Sequence, residues 1–279
     1  LDELQVKDIP LELIDDFPDH PYLVKDDESM LQLVESVSSQ GVLVPAIVRP
    51  KGNGRYELIS GHRRKRASQL SELSTLKCIV GDYDNDTATI MMVDSNLNRE
   101  SILPSEKAKA YKMRLDAMKH QGRATSRPLG NKLKSVDELA EISNDSARQI
   151  QRYIRLNYLV PELLDYVDEG KVKMRPAVEL SYLDEDCQRD VVDFIDENES
   201  TPSHAQTIRL RKLYNEGKLD TDEIYSILSE CKPNQQEHIS VPVDRIKREL
   251  PKTPSKRIDF IVKAIEYYSK YLERKNRER

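Results

Sequence analysis

The chain has 279 residues, 38% of them hydrophobic and 33% charged, which suits two or three modest domains better than one large core. No apolar run approaches the ~20 residues of a membrane span, no signal-peptide pattern opens the sequence, and Cys78, Cys187 and Cys231 lie too far apart for a CxxC metal or redox motif. The net charge of −5 would argue against nucleic acid if it were evenly spread. It is not: residues 1–60 hold runs such as Asp15-Asp16 and Asp26-Asp27-Glu28, while residues 101–160 carry twice as many Lys and Arg as Asp and Glu, a local excess of about +6. The five histidines are scattered, so no zinc site is expected. The chain opens on Leu1 rather than methionine, with the expectation that residues precede it.

Ser29 to Gln40 carries Met30, Leu33, Val34 and Val37 at helical spacing, and Gly41 follows as a stop signal. Val42 to Val48 is a continuous apolar run with β-branched residues and predicts a buried strand. Gly52-Asn53-Gly54 predicts a tight turn into a second strand, Arg55 to Ser60. Gly61 breaks that strand, after which Arg63, Ala67 and Leu70 share one stripe at i, i+4, i+7. Leu76 to Val80 is a third strand, and Asp84 to Val93 opens another helix. Together these make a compact α+β unit.

The stretch GHRRKRA, residues 61–67, puts three arginines and a lysine into the first turns of a helix. That end of a helix carries about +0.5 charge and unpaired N–H groups, so each cation there is disfavoured by a few tenths of a kcal/mol. An anion bridging Arg63, Arg64 and Arg66 would remove the repulsion. The N–H groups after Gly61 can point at a phosphate, and arginine forks add bidentate bonds. A surface basic helix is the alternative reading. The P-loop pattern GxxxxGK[ST] is absent.

Further on, Asn96 and Arg99 precede a helix with Pro104 at its first position, Glu106 in its first turn and Ala108, Tyr111 and Leu115 as its stripe. Residues 120–134 are rich in Gly, Ser, Pro and basic side chains. They read as a basic loop in which Arg123, Arg127, Lys132 and Lys134 touch phosphates without choosing sequence. Ser135 and Glu138 then form a capping box, S-x-x-E, and Ser146 with Gln149 a second, S-x-x-Q, with Asn144-Asp145 as the turn between. Two short helices so joined are the helix-turn-helix signature. Small Ala140 suits the crossing, Ile150 and Ile154 form the buried stripe, and Asn144 suits a left-handed turn position. Arg148, Gln149, Gln151, Arg152 and Arg155 are left as the polar set, and Arg and Gln read guanine and adenine edges bidentately. An ordinary helical hairpin is the alternative. Pro161, Pro176 and Pro202 each open a short helix, Gly170 and Gly217 end two, and residues 231–238 read as a polar linker. In the last segment Ile258, Ile261, Val262, Ile265, Tyr268 and Leu272 form a broad apolar stripe that must pack against something, either a second copy or residues 240–250.

Taken in order, VPAIVR (44–49), GHRRKRA (61–67) and SNLNRE (95–100) resemble the three N-terminal boxes of the ParB family of DNA-partition proteins, usually QPIxVR, GERRxRA and ENLQRE. With the helix-turn-helix, the resemblance covers about residues 10 to 185. It implies a ParB/sulfiredoxin-like α+β nucleotide-binding domain over 1–100 and a mostly α-helical helix-turn-helix domain over 101–185. A helical connector over 186–238 and a helical, dimerising C-terminal segment over 239–279 complete the expected order. It further implies CTP and Mg2+ as cofactors. Gly61, Arg63, Arg64 and Arg66 would cradle the phosphates, and the strand from Val44 to Arg49 would lie near the nucleotide. His62, Ala67 and Ser95 belong to the same boxes. Asn96 would hold magnesium or phosphate, and Arg99 would support its loop.

The implied role is a CTP-dependent DNA clamp in segregation or maintenance of a plasmid, mobile element or chromosome. The implied partners are double-stranded DNA with a specific, palindromic site, a ParA-type ATPase and a second copy of the chain. No membrane is involved, and the expected location is cytoplasmic, on nucleoid or plasmid DNA. Two departures bear on chemistry: His62 and Ser95 stand where the boxes carry glutamates, so CTP hydrolysis is expected to be slow or absent unless His62 serves as a base. A helix-turn-helix repressor of a mobile element would use the same DNA head. A sulfiredoxin-like enzyme is a third reading, since Ser60-Gly61-His62-Arg63 is close to the Gly-Cys-His-Arg loop of sulfiredoxins. The nucleophilic cysteine of that loop is absent.

Overall fold

The apolar and β-branched runs of the first 80 positions assemble into one five-stranded sheet in the computed structural model, which describes residues 6–97, 99, 102–124, 132–230 and 256–277. The strands are β1 (Val6–Pro10), β2 (Ile14–Asp15), β3 (Ala46–Lys51), β4 (Arg55–Ser60) and β5 (Thr75–Val80). Their order is β1-β5-β3-β4-β2. β3 and β4 form an antiparallel hairpin, and β3 runs parallel to β5. The hairpin turns through Asn53 and Gly54, both at positive φ (68° and 74°), which is the geometry that matches strand twist.

Helix α1 (Glu28–Gln40) starts where the Asp27 carboxylate accepts the Met30 N–H at 2.9 Å and stops at Gly41, φ 71°. It packs with α2 (His62–Leu70) on one face of the sheet. There Met30, Val37 and Ala67 meet Ala46, Val48, Leu58, Leu76 and Cys78 in one core.

Two strand expectations need correction. The run 42–48 does not form a strand throughout: β3 begins at Ala46 and continues to Lys51, while Leu43 and Val44 are exposed. Pro45 has no N–H to give a ladder, so pairing starts after it. The edge strands β1 and β2 escaped notice because β1 fully buries only Ile9 and β2 is two residues long; neither needs a strong apolar pattern.

The rest is helical. α3 (Asn85–Asp94) is capped by Asp84, and α4 (Pro104–Ala124), α5 (Lys132–Ile142) and α6 (Ala147–Arg155) follow. Then come α7 (Pro161–Asp168), α8 (Met174–Leu180), α9 (Glu185–Asn198), α10 (His204–Asn215) and α11 (Thr221–Ser229). α12 (Arg257–Arg277) belongs to a separate unit.

A second core runs without a break from the sheet into the helices. Phe17, Tyr22 and Ile59 pack with Met92 and Val93 of α3, Tyr111 and Leu115 of α4, Leu139 of α5 and Ile150 of α6. A third core holds α7 to α11 together around Leu163, Leu180, Leu210 and Ile227. The string of helices expected over 160–230 is present. Pro161 opens α7, but Pro176 lies inside the first turn of α8, and Pro202 precedes the Ser203 cap of α10. α5 begins at Lys132, so Ser135 sits within the helix and is not its cap; Lys132, Leu133 and Lys134 are good helix formers that extend it backwards. Asn144 is not among the described residues with positive φ, so the turn does not use its left-handed tolerance. The linker 231–238 lies outside the described residues.

One buried amide joins the third core's loops. Gln188, 1% exposed, accepts the Val160 N–H at 2.8 Å and donates to the carbonyls of Tyr158 and Leu183 at 3.0 Å each. Gln188→Leu strands three backbone groups inside the protein and is expected to cost about 2–4 kcal/mol. A urea denaturation series should show the midpoint fall with an unchanged slope.

Candidate functional site

The sheet delivers β4 to Gly61, and the backbone there permits no other residue. Its φ is 111°, and a Cβ would stand 2.9 Å from the Ala46 Cβ and 3.2 Å from the Arg64 guanidinium. α2 starts immediately after, with no side chain capping its N-terminus. Ala67 is buried against the sheet.

The cations of α2 do not stand free. Arg64 folds back and donates to the carbonyls of Val44 and Pro45 at 2.6 and 2.5 Å. Lys65, 8% exposed, reaches Asp16 at 2.8 Å. Arg63 donates to the Ser29 hydroxyl at 2.6 Å and lies 3.8 Å from Asp27. Arg66 grips Asp26 through both nitrogens, at 3.0 and 2.5 Å. The hydrogen bond from Arg66 holds the Asp26 carboxyl below the usual carboxylate range, and those from Ser29 and the Met30 amide do the same for Asp27. The anion that the sequence demanded is supplied by the acidic segment upstream.

His62 lies under this cluster with its ring 3.7 Å from that of His20, centroid to centroid. His20 Nδ1 donates to the Tyr22 carbonyl at 2.8 Å, so its Nε2 is the unprotonated nitrogen. Both Nε2 atoms are buried and have no hydrogen-bond partner. Burial, then the adjacent His20, push the His62 imidazole down to about 3, and burial also lowers His20. His20 was not singled out from sequence, since a lone histidine in an acidic loop carries no signal until the fold sets it beside His62.

The third box forms the end of α3. Ser95 Oγ and Asn96 Nδ2 both donate to the Met92 carbonyl at 2.9 Å, and Arg99 donates to Asn96 Oδ1 at 3.2 Å. The charge of Arg99 is felt at both His20 and His62, so this loop and the N-terminus of α2 share one neighbourhood. Arg49 is engaged elsewhere: its Nε meets Glu57 at 2.7 Å, its Nη1 the Tyr83 carbonyl, and its guanidinium lies 6.0 Å above Phe17. Val44 contributes its carbonyl while its side chain is exposed. Among the described residues no three His, Cys, Asp or Glu side chains converge as a metal site. The Cys78 thiol is buried on β5 and pushed up to about 12 by desolvation, which makes it no nucleophile.

In the helix-turn-helix, Ser146 caps α6 by accepting the Gln149 N–H at 3.3 Å. The turn is pinned by Asp145, whose carboxylate takes the Tyr111 hydroxyl at 2.6 Å and Lys107 at 2.7 Å from α4. Ile150 is fully buried, Arg148 and Gln151 are exposed, and Arg152 donates to the Gln149 side chain at 3.3 Å. Arg155 is turned onto α8: it donates to the Ser181 hydroxyl and carbonyl at 3.0 and 2.6 Å and stacks between Tyr158 and Tyr182. The side chains of Arg123, Arg127, Lys132 and Lys134 lie outside the described residues.

The histidine pair has a pH signature. Unfolded, His62 takes a proton below about 6.5; folded, it stays neutral down to about 3. The unfolded state therefore binds more protons in that window, and stability should decline as pH falls through it. In His62→Gln the decline should be shallower, as read from denaturation midpoints at a series of pH values. Identical slopes would remove His62 from the account.

Compared with known proteins, residues 1–97 match the ParB N-terminal domain family. A probable chromosome-partitioning protein ParB of Pseudomonas putida is 28% identical over 190 residues, 68% of this chain and 61% of that protein. One of Neisseria meningitidis is 41% identical over 91 residues, 33% of this chain and 32% of that protein. The chain thus spans about three fifths of the Pseudomonas protein and a third of the Neisseria one. Among solved structures, C-terminally truncated ParB of Caulobacter crescentus, complexed to the centromeric parS site, matches 80% of this chain and 98% of its own with 21% identity and a TM-score of 0.44. Residues 1–97 of this chain thus match the ParB N-terminal domain.

Proposed function

We propose that this chain is a site-specific DNA-binding partition protein, a CTP-dependent clamp that serves segregation or maintenance of a chromosome, plasmid or mobile element. One observation carries the reading. β4, the strand that leads through Gly61 into the arginine-rich N-terminus of α2, shares one core through Ile59 with a helix-turn-helix that has an exposed polar face. A nucleotide at that N-terminus can therefore bias the helix-turn-helix. The names of the relatives, chromosome-partitioning proteins, support the same role.

The residues fit a nucleoside triphosphate better than they fit a metal. Gly61 allows close approach, the amides at the start of α2 are uncapped, and Arg63, Arg64 and Arg66 all lie in its first turns. Asn96 offers magnesium a neutral side-chain oxygen, so Mg2+ would be carried chiefly by the phosphates. The CTP is accordingly held by charge and backbone. Turnover is a different matter: Ser95 has no carboxylate, and an imidazole held near 3 is far from the pKa that suits a base at neutral pH. Calorimetry should show CTP binding that Arg66→Ala weakens at least severalfold. Phosphate release with cognate DNA present should remain slow. Robust turnover that His62→Gln abolishes would reverse the assignment of His62.

On the DNA side, Arg148 and Arg152 read bases from α6, while Arg155 holds α6 against α8. α12 exposes Phe260, Ile261, Val262 and Ile265 along one stretch, which supports self-association through a second copy of that helix, with a ParA-type ATPase as the further partner on the nucleoid. Arg148→Ala or Arg152→Ala should lose about 1–3 kcal/mol on the cognate site but little on random DNA. Deleting residues 255–279 should turn a dimer into a monomer and spare half-site binding. Fluorescence anisotropy on both DNAs, with light scattering, tests the pair; equal losses on cognate and random DNA would sink the base-reading role.

A further inference from the structure

We propose that Asp26 and Asp27 act as a built-in substitute for phosphate, holding Arg66 and Arg63 of α2 when no nucleotide is bound, and that a nucleoside triphosphate binds by swinging Asp26 off Arg66 and taking Arg63 from Asp27, which stays as the cap of α1. This rests on reading that cradle as the nucleotide site. Asp26 meets Arg66 in a two-point grip, at 3.0 and 2.5 Å, the same fork a phosphate would use. Asp27 lies 3.8 Å from Arg63 and binds the Ser29 hydroxyl, at 2.6 Å, which itself takes a hydrogen bond from Arg63. Two of the three cradle arginines are thus occupied by one dipeptide.

The contact is built to be reversible. Side chains of Asp26 and Arg66 are 47% and 42% exposed, and exposed pairs are weak and screened by salt. Lys65 differs: its side chain is 10% exposed and paired with Asp16, so it anchors the helix whether or not ligand is present. The segment around the clasp is fixed at both ends, by Glu106 accepting the Leu23 N–H at 2.8 Å and by Asp27 capping α1. The Asp26 side chain can swing out while those anchors stay. Because closed molecules cannot take ligand, apparent affinity falls in proportion to the open fraction.

The test compares wild type with Asp26→Asn and with Asp26→Asn/Asp27→Asn, since asparagine preserves the α1 cap. Glu28→Gln is the control, because it removes a neighbouring exposed charge that touches no arginine among the described residues. Calorimetry at low ionic strength uses CTP and inorganic tripolyphosphate as separate probes. The clasp predicts roughly three- to tenfold tighter binding of both probes by the double variant, a smaller gain in Asp26→Asn and little change in Glu28→Gln. Salt should weaken binding more steeply in the double variant, where it no longer also loosens a competitor. Unchanged or weaker binding by the aspartate variants overturns the clasp while leaving CTP binding intact. An equal gain in Glu28→Gln overturns it too, as a mere effect of net charge. A gain with tripolyphosphate while CTP binds no better than inorganic phosphate upholds the clasp and removes the nucleotide reading. No binding of either probe to any variant overturns both.

Discussion

The buried pair between Arg114 of α4 and Asp94 at the end of α3 is the contact on which the two halves of the structure turn. The arginine is 4% exposed and meets the carboxylate at 2.6 and 3.2 Å. A guanidinium in that position is tolerable only while its partner remains, because an unpaired buried charge costs about 3–5 kcal/mol. Around it, Met92 and Val93 pack against Tyr111 and Leu115, and the same core reaches Leu139 and Ile150 beneath the helix-turn-helix. Asp94 directly precedes the Ser95-Asn96 box. α4 in turn holds the turn of the helix-turn-helix through Tyr111, Lys107 and Asp145.

Charge in this protein is segregated along the chain and paired in space. The acidic segment 15–28 folds over the basic start of α2, so neither region presents its full charge to solvent. The same holds in the basic region 101–160. Lys107 is committed to Asp145, Arg114 to Asp94, Lys119 to Asp116, and Arg155 to Ser181 and two tyrosines. Exposed Lys109, Lys112 and Arg148 remain on the described surface. The excess of about +6 overstates the field that DNA would meet, and specificity then leans on the few side chains of α6 that face outwards.

The chemistry around the start of α2 follows from where its polar atoms are buried. Two buried imidazoles with centroids 3.7 Å apart and planes tilted by 35° share little water, and one proton on either would meet the other ring and the Arg99 charge. Burial disfavours charge on both, so they fill shape as neutral groups. Cys78, the only cysteine among residues 1–100, is sealed in the sheet, which closes off thiol chemistry there.

Local sequence determined a good deal. The 3.6-residue stripes of α1, α2 and α4, the Asn-Gly hairpin, the glycine that ends β4 and the Ser146 cap are each governed by neighbours in the chain, so pattern alone located them. The ordered boxes located the arginine cluster in the same way. What stayed hidden depended on residues far apart in sequence. The edge strands β1 and β2 exist because β5 and β4 offer them free backbone edges. His20 matters because it meets His62 across 42 positions, and Arg155 leaves the polar set because Ser181, 26 residues away, accepts its bonds. Which cations of α2 were already neutralised was decided by Asp16, Asp26 and Asp27, 36 to 49 residues upstream of Lys65, Arg66 and Arg63. Periodicity reports which face of an element is apolar; only the packed chain decides which charges meet, because ion pairing carries no period.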